Sequence, residues 1–206
     1  MRLKETLYGV NGIECPVTYS EDAGRAEIPV ILLHGFNFNR RIWIETGIAR
    51  ILDAKEIPFL MPDMPYGRKT ACTKRTRNLD VNVEAVREVS KLMPGGKPPI
   101  IVGASIGGRV ALYYAARYPV KGLLLASPAV KDGEDIWKYI KLIRSPAVIL
   151  RGAHDFIPLR IHRKLAEKLG ARLIVYEGAG HAMYLSDPER FADDVEVFYR
   201  SLIDNG

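Results

Sequence analysis

Two cysteines, Cys15 and Cys72, are all that 206 residues contain, and their spacing matches neither a metal-ligand pattern nor the framework of a disulfide-stapled fold. Both are expected to be free thiols. No apolar run approaches the length of about 20 residues that a membrane span needs, and Met1-Arg2-Leu3-Lys4-Glu5-Thr6 has no apolar core of the kind a secretory signal carries. A cytoplasmic location is the expectation. Internal repeats and low-complexity stretches are also missing, which leaves out solenoids, arrays and disordered linkers. The formal charge of +6 comes from charges of both signs spread over most of the chain, as on a solvated surface. Its one concentrated piece, Arg68 to Arg77, has no interleaved aromatics and no nucleic-acid-binding motif around it, so it is read as a solvated loop.

The chain has 48% hydrophobic content, enough for one substantial core at this length, and residues 1–206 are read as a single domain. Asn11-Gly12, between Leu7–Val10 and Ile13–Tyr19, predicts a type I′ hairpin. Glu21 to Arg25 reads as a polar turn. Thereafter short apolar runs alternate with segments of helical periodicity. The runs are Pro29–Leu33, Phe59–Met61, Ile100–Val102, Gly122–Ala126, Ala147–Leu150 and Leu173–Tyr176. Asn39 is placed to cap a helix carrying Ile44, Ile48, Ile51 and Leu52, and Asp187-Pro188 to open the last one. Continuous apolar strands separated by helices specify a mostly parallel sheet covered on both faces, entered here by an antiparallel hairpin.

Ligands of such sheets bind beyond the carboxyl ends of the strands. There the sequence sets His34-Gly35-Phe36 after the third strand, Ser105 after the fifth, Asp155 after the seventh and His181 after the eighth. Gly103-Ala104-Ser105-Ile106-Gly107 is a Gly-x-Ser-x-Gly turn between a strand and a helix, which pushes the hydroxyl out of the sheet. A serine needs a base to take its proton, and a histidine needs a carboxylate to fix its tautomer. Ser105, His181 and Asp155 supply these roles in the chain order Ser, Asp, His that this strand arrangement requires. The backbone N–H groups of Phe36 and Ile106 are placed by position to receive an oxyanion.

The remaining histidines have blander readings. His34 is expected to shape the turn that aims the Phe36 amide, His154 to face solvent, and His162 to lie on the exposed part of a polar helix. Asp132 and Asp135, after the sixth strand, compete with Asp155 for the acid role. Asp155 is preferred because Gly152-Ala153-His154-Asp155 follows its strand directly.

These motifs, with Trp43, Gly178-Ala179-Gly180-His181-Ala182-Met183-Tyr184-Leu185 and Pro188-Glu189, resemble those of the α/β-hydrolases over nearly the whole chain. Within them the chain is most similar to the small lid-less group around CIB and its microbial relatives. The resemblance implies Ser105 as nucleophile, His181 as base, Asp155 as its orienter, and Phe36 with Ile106 as oxyanion donors, without metal or organic cofactor. Asp63-Met64-Pro65-Tyr66-Gly67-Arg68-Lys69-Thr70 departs from the group's Asp-x-Pro-Gly-x-Gly-x-Ser, with tyrosine for its first glycine and threonine for its serine. Only Ser127 to Pro146 joins the sixth and seventh strands, enough for a short helix around Trp137 and Tyr139 and too little for a lid domain. Phe36, Trp137 and Tyr139 are candidate pocket walls, the last two equally candidates for ordinary helix packing. The expected activity is hydrolysis of a small, short-acyl ester through an acyl-enzyme. The alternatives are a deacylase or thioesterase on an acylated amine or thiol, and an interaction protein that uses the pocket only to bind.

Overall fold

A computed structural model describes residues 1–24 and 28–203. Asn11 and Gly12 both have positive φ, 47° and 73°, which a type I′ turn demands, and they fold β1 (Leu3–Val10) back onto β2 (Ile13–Ser20) in antiparallel register from Leu3 opposite Ser20 to Val10 opposite Ile13. A single 3-10 turn at Glu21–Gly24 follows; Arg25, the end of the expected polar turn, lies outside the described residues. Then come β3 (Val30–Leu33), α1 (Ile42–Glu45), α2 (Ile48–Ala54), β4 (Phe59–Pro62), α3 (Leu79–Ser90), β5 (Ile100–Ala104) and α4 (Ile106–Ala115). The chain continues through β6 (Gly122–Ala126), α5 (Ile136–Tyr139), β7 (Ala147–Gly152), α6 (Leu159–Leu169), β8 (Arg172–Tyr176), α7 (Met183–Ser186) and α8 (Pro188–Ile203).

The sheet runs β1-β2-β4-β3-β5-β6-β7-β8, parallel from β4 onward. This is the α/β-hydrolase arrangement that the sequence predicts. Alternate residues of the central strands feed two cores. Ile31, Leu33 and Ile101 pack toward α3, α4 and α6, and Val30, Leu32 and Val102 toward α1, α2 and α8, which is why these strands are apolar throughout. The order reverses between β3 and β5, so the segments leaving these two strands abut at a topological switch point. No lid stands over it: the β6–β7 connection holds only α5 and one 3-10 turn, as expected from its length.

Three expectations need correction. Cys15 and Cys72 are joined in a disulfide, 57 residues apart in sequence. Glu14 explains how they meet: its carbonyl accepts from the Thr73 amide at 2.9 Å and its own amide donates to Thr73 Oγ1 at 3.0 Å, laying the loop after β4 along β2. The single helix expected after Asn39 is two, broken at Gly47 with φ 81°. His162 is fully buried, not exposed. Among the described residues no helix is long and apolar enough to cross a membrane.

Candidate active site

Ser105 sits at the end of β5 with φ 54° and ψ −114°, a conformation that a side-chain-bearing residue holds only under constraint. The constraint is packing. A Cβ on Gly103 would lie 2.8 Å from the Gly107 backbone, and one on Gly107 would lie 2.6 Å from the Leu33 carbonyl, so the strand, the turn and α4 interlock only where both positions are glycine. The Ser105 amide donates to Ala126 O at 2.8 Å and its carbonyl accepts from Arg109 and Ala129 amides. The Ser105 backbone is thus tied to β6, to the segment after it and to α4. Ile106 is the first residue of α4, where an N–H has no intrahelical partner.

His181 Nε2 lies 2.8 Å from Ser105 Oγ, and His181 Nδ1 lies 2.8 Å from Asp155 Oδ1. The carboxylate can only accept, so Nδ1 carries the proton and Nε2 is left to accept from the serine O–H. Asp155 Oδ1 also accepts from the Ile157 amide at 3.0 Å, and the side chain has no exposed surface. Burial pushes this carboxyl up, but hydrogen bonds led by that from His181 outweigh it and hold it below the ordinary aspartate value. Phe156 covers the histidine ring at a centroid distance of 4.2 Å while itself 76% exposed.

The competing acids are elsewhere engaged. Asp132 pairs with Arg160 and Lys164, and Asp135 with Lys138, all at exposed positions. His154 faces solvent as expected. His34 is fully buried: Nδ1 donates to Gly35 O at 2.9 Å, Nε2 accepts from the Met64 amide at 3.0 Å, and the Tyr66 hydroxyl donates to its carbonyl at 2.6 Å. It therefore fixes the turn into Phe36, the role expected of it. This turn runs against the serine, since a Cβ on Gly35 would lie 3.7 Å from Ser105 Cβ.

His162 is the residue that a polarity reading misplaces. Its Nδ1 stands 4.0 Å from Asp155 Oδ2, on the side of the carboxylate away from His181, and Nε2 reaches Pro128 O at 3.3 Å. The helical spacing could have found it, because His162 shares a face with Leu165, Ala166 and Leu169. Burial holds this imidazole below the ordinary histidine value despite the attraction of Asp155.

Beside Ser105 and Ile106 opens a cavity of about 370 Å³, with an apolar wall from Phe36, Leu79, Val110 and Ala129. Tyr66, Asn82, Arg77 and Arg109 complete it. Trp137 and Tyr139 do not line it, contrary to their candidacy as walls. Trp137 Nε1 instead donates to Lys131 O at 2.7 Å, with Lys164 Nζ 4.3 Å above its ring, and Tyr139 points to solvent, 46% exposed. The tyrosine that replaces a glycine after β4 is, by contrast, a cavity residue. Arg77, Arg109, Phe156 and His162 were all missed as parts of the site.

The alpha/beta hydrolase family model matches residues 30–152, more than half of the chain. The human putative protein-lysine deacylase ABHD14B is 24% identical over 185 residues, covering 87% of each chain. Human protein ABHD14A is 26% identical over 196 residues, 90% of this chain and 70% of its own. The crystal structure of a predicted CIB-like hydrolase from Thermoplasma acidophilum superposes with a TM-score of 0.83 at 25% identity, covering 98% of this chain and all of the other.

Proposed function

The chain belongs to the alpha/beta hydrolase family, and from that premise we propose that it is a serine hydrolase that cleaves small, short-acyl carboxylic esters through an acyl-enzyme. One observation carries the reading: an unbroken line from Ser105 Oγ through His181 to Asp155, with both links at 2.8 Å. In the proposed reaction Ser105 Oγ attacks the ester carbonyl as its proton passes to His181 Nε2, and Asp155 stabilises the imidazolium that forms. The tetrahedral oxyanion is received by the backbone N–H groups of Ile106 and Phe36, aided by the positive end of α4. Collapse expels the alcohol, which takes the proton from Nε2. Water then repeats the sequence on the acyl-serine and restores the enzyme. Phe156 shields the imidazole from one side, and His34 holds the loop that presents the Phe36 amide. A cavity of about 370 Å³ without a lid suits a short acyl group.

The test is reaction with a fluorophosphonate followed by peptide mapping. Label on Ser105, lost in Ser105→Ala together with esterase turnover, is expected; label on Ser127 or Ser186 overturns the assignment. A second reading, removal of an acyl group from an amine, is favoured by the human relative bearing a deacylase name over 87% of both chains. The same three residues would serve it, and an acetyl-lysine peptide run beside an aryl acetate separates the two.

A further inference from the structure

Five cations follow Asp63 with no acid among them: Arg68, Lys69, Lys74, Arg75 and Arg77. None of the ion pairs formed among the described residues involves any of the five. Their loop is not free to drift. The Arg68 amide donates to Phe36 O at 2.6 Å, Asn39 Nδ2 donates to Lys69 O at 2.9 Å, and the disulfide fastens Cys72 to β2. Of the five, Arg77 lines the cavity beside Ser105.

At the end of the loop the Arg77 guanidinium stands 4.7 Å over the Phe36 ring and lines the cavity. Arg109, one helical turn after Ser105, lines it too, and its Nε is 3.0 Å from Glu134 Oε2. No carboxylate is among the lining residues, so two guanidinium groups are balanced by one acid. The other polar side chains there are already committed. The Tyr66 hydroxyl donates to His34 O, and Asn82 donates to Thr76 O and Asn78 O while accepting from the Tyr66 amide. Beyond Ser105 and the backbone amides, the donors left for a ligand are those of guanidinium groups. A guanidinium fork matches a carboxylate or phosphate in geometry as well as charge.

Building on the serine hydrolase reading, we infer that the substrates of this site carry an anionic group, a carboxylate or a phosphate, which seats on Arg77 with Arg109 behind it while the scissile carbonyl lies at Ser105. The basic loop then raises the local concentration of such esters at the mouth, an effect that salt screens.

The test compares esters that differ in one charge. 4-Acetoxybenzoate and 4-acetoxyphenyl phosphate are set against neutral 4-acetoxybenzamide, and the mono-4-nitrophenyl ester of adipic acid against 4-nitrophenyl hexanoate. At low ionic strength at least one anionic ester is expected to exceed its neutral partner tenfold or more in kcat/KM, and which one identifies the group and the side of the ester that bears it. Raising sodium chloride to 0.5 M should shrink that ratio several-fold. Arg77→Gln should lower it at least fivefold, whereas Arg50→Gln, which removes the same charge from exposed α2, should leave the ratio as it is. Neutral esters preferred throughout, or a ratio indifferent to both salt and Arg77→Gln, overturns the inference while the hydrolase reading stands. No turnover on any ester and no fluorophosphonate label on Ser105 overturns both.

Discussion

Reducing the bond between Cys15 and Cys72 should cost the fold a large part of its stability. The cross-link closes a loop of 57 residues that contains β3, α1, α2, β4 and the His34–Phe36 turn. In the chain-entropy treatment, a closed loop of this length removes roughly 14 cal/mol/K from the unfolded ensemble, or about 4 kcal/mol at 25 °C. At 2–4 °C per kcal/mol for a chain of this size, Tm should fall by roughly 8–16 °C on reduction. The direct comparison is thermal unfolding of the oxidised protein and of protein reduced under nitrogen, in one buffer, with thiols titrated before each scan. Reduction leaves both side chains in place, so packing is not perturbed as it would be by Cys15→Ala. Two free thiols in the reduced sample with Tm unchanged would refute the loop-entropy argument. Two free thiols in the untreated, unfolded protein would remove the bond itself.

Asp155→Asn should lower esterase turnover by about 10⁴ with the fold intact, as when the orienting acid of other such triads is neutralised. Asp132→Asn and Asp135→Asn should stay within twofold of the wild type, and the reverse ranking would move the acid to the segment after β6. Acidification should destabilise the protein below pH 6.5. His34 and His162 are both held under the ordinary value by burial, so the unfolded chain binds their protons first. Their contribution is complete above about pH 6.5 and is lost as pH falls toward the depressed native values, with a slope approaching about 2.7 kcal/mol per pH unit for two protons. Urea unfolding at pH 8, 6.5 and 5 measures it, and equal stability at pH 6.5 and 5 would contradict the burial argument. Across straight-chain esters of two to twelve acyl carbons, kcat/KM should level off early, because an uncovered cavity cannot bury each added methylene to the full value of about 0.8 kcal/mol. A steady rise to twelve carbons would reveal a covered channel.

The alternation of strands and helices, and the placing of Ser105, Asp155 and His181 beyond β5, β7 and β8, were readable because continuous apolar runs mark these strands and each of the three residues lies in the segment that leaves one. Asp187 shows the same locality: its carboxylate accepts from the Arg190 amide at 3.1 Å and opens α8 as expected. Part of what failed depends on contacts between distant segments, and part on local geometry that composition does not register. Cys15 and Cys72 meet through the lie of a loop that no local pattern encodes. His162 was misjudged from the polar composition of α6, although its spacing from Leu165 and Ala166 places it on the buried side. Trp137 and Tyr139 were placed by proximity in sequence, whereas α5 turns the indole to its own connection and the phenol to water. Gly47, which splits the helix after Asn39, owes its effect to a positive φ that periodicity does not register.

Gly152 closes β7 where a Cβ would run into the Gly180 and Ala179 carbonyls, and the next two amides, of Ala153 and His154, donate to Tyr176 O and Ala179 O at 2.9 Å. The segments bearing Asp155 and His181 are thereby laced backbone to backbone. Ser105 sits apart from them, on the interlocked β5–α4 turn. With the acid and base segments joined directly by backbone hydrogen bonds and Ser105 two strands away on β5, the His181–Ser105 contact is the link of the triad that depends most on the sheet between them. A disturbance at β6 therefore bears first on the proton transfer from serine to histidine and only afterwards on the pairing of histidine with its acid.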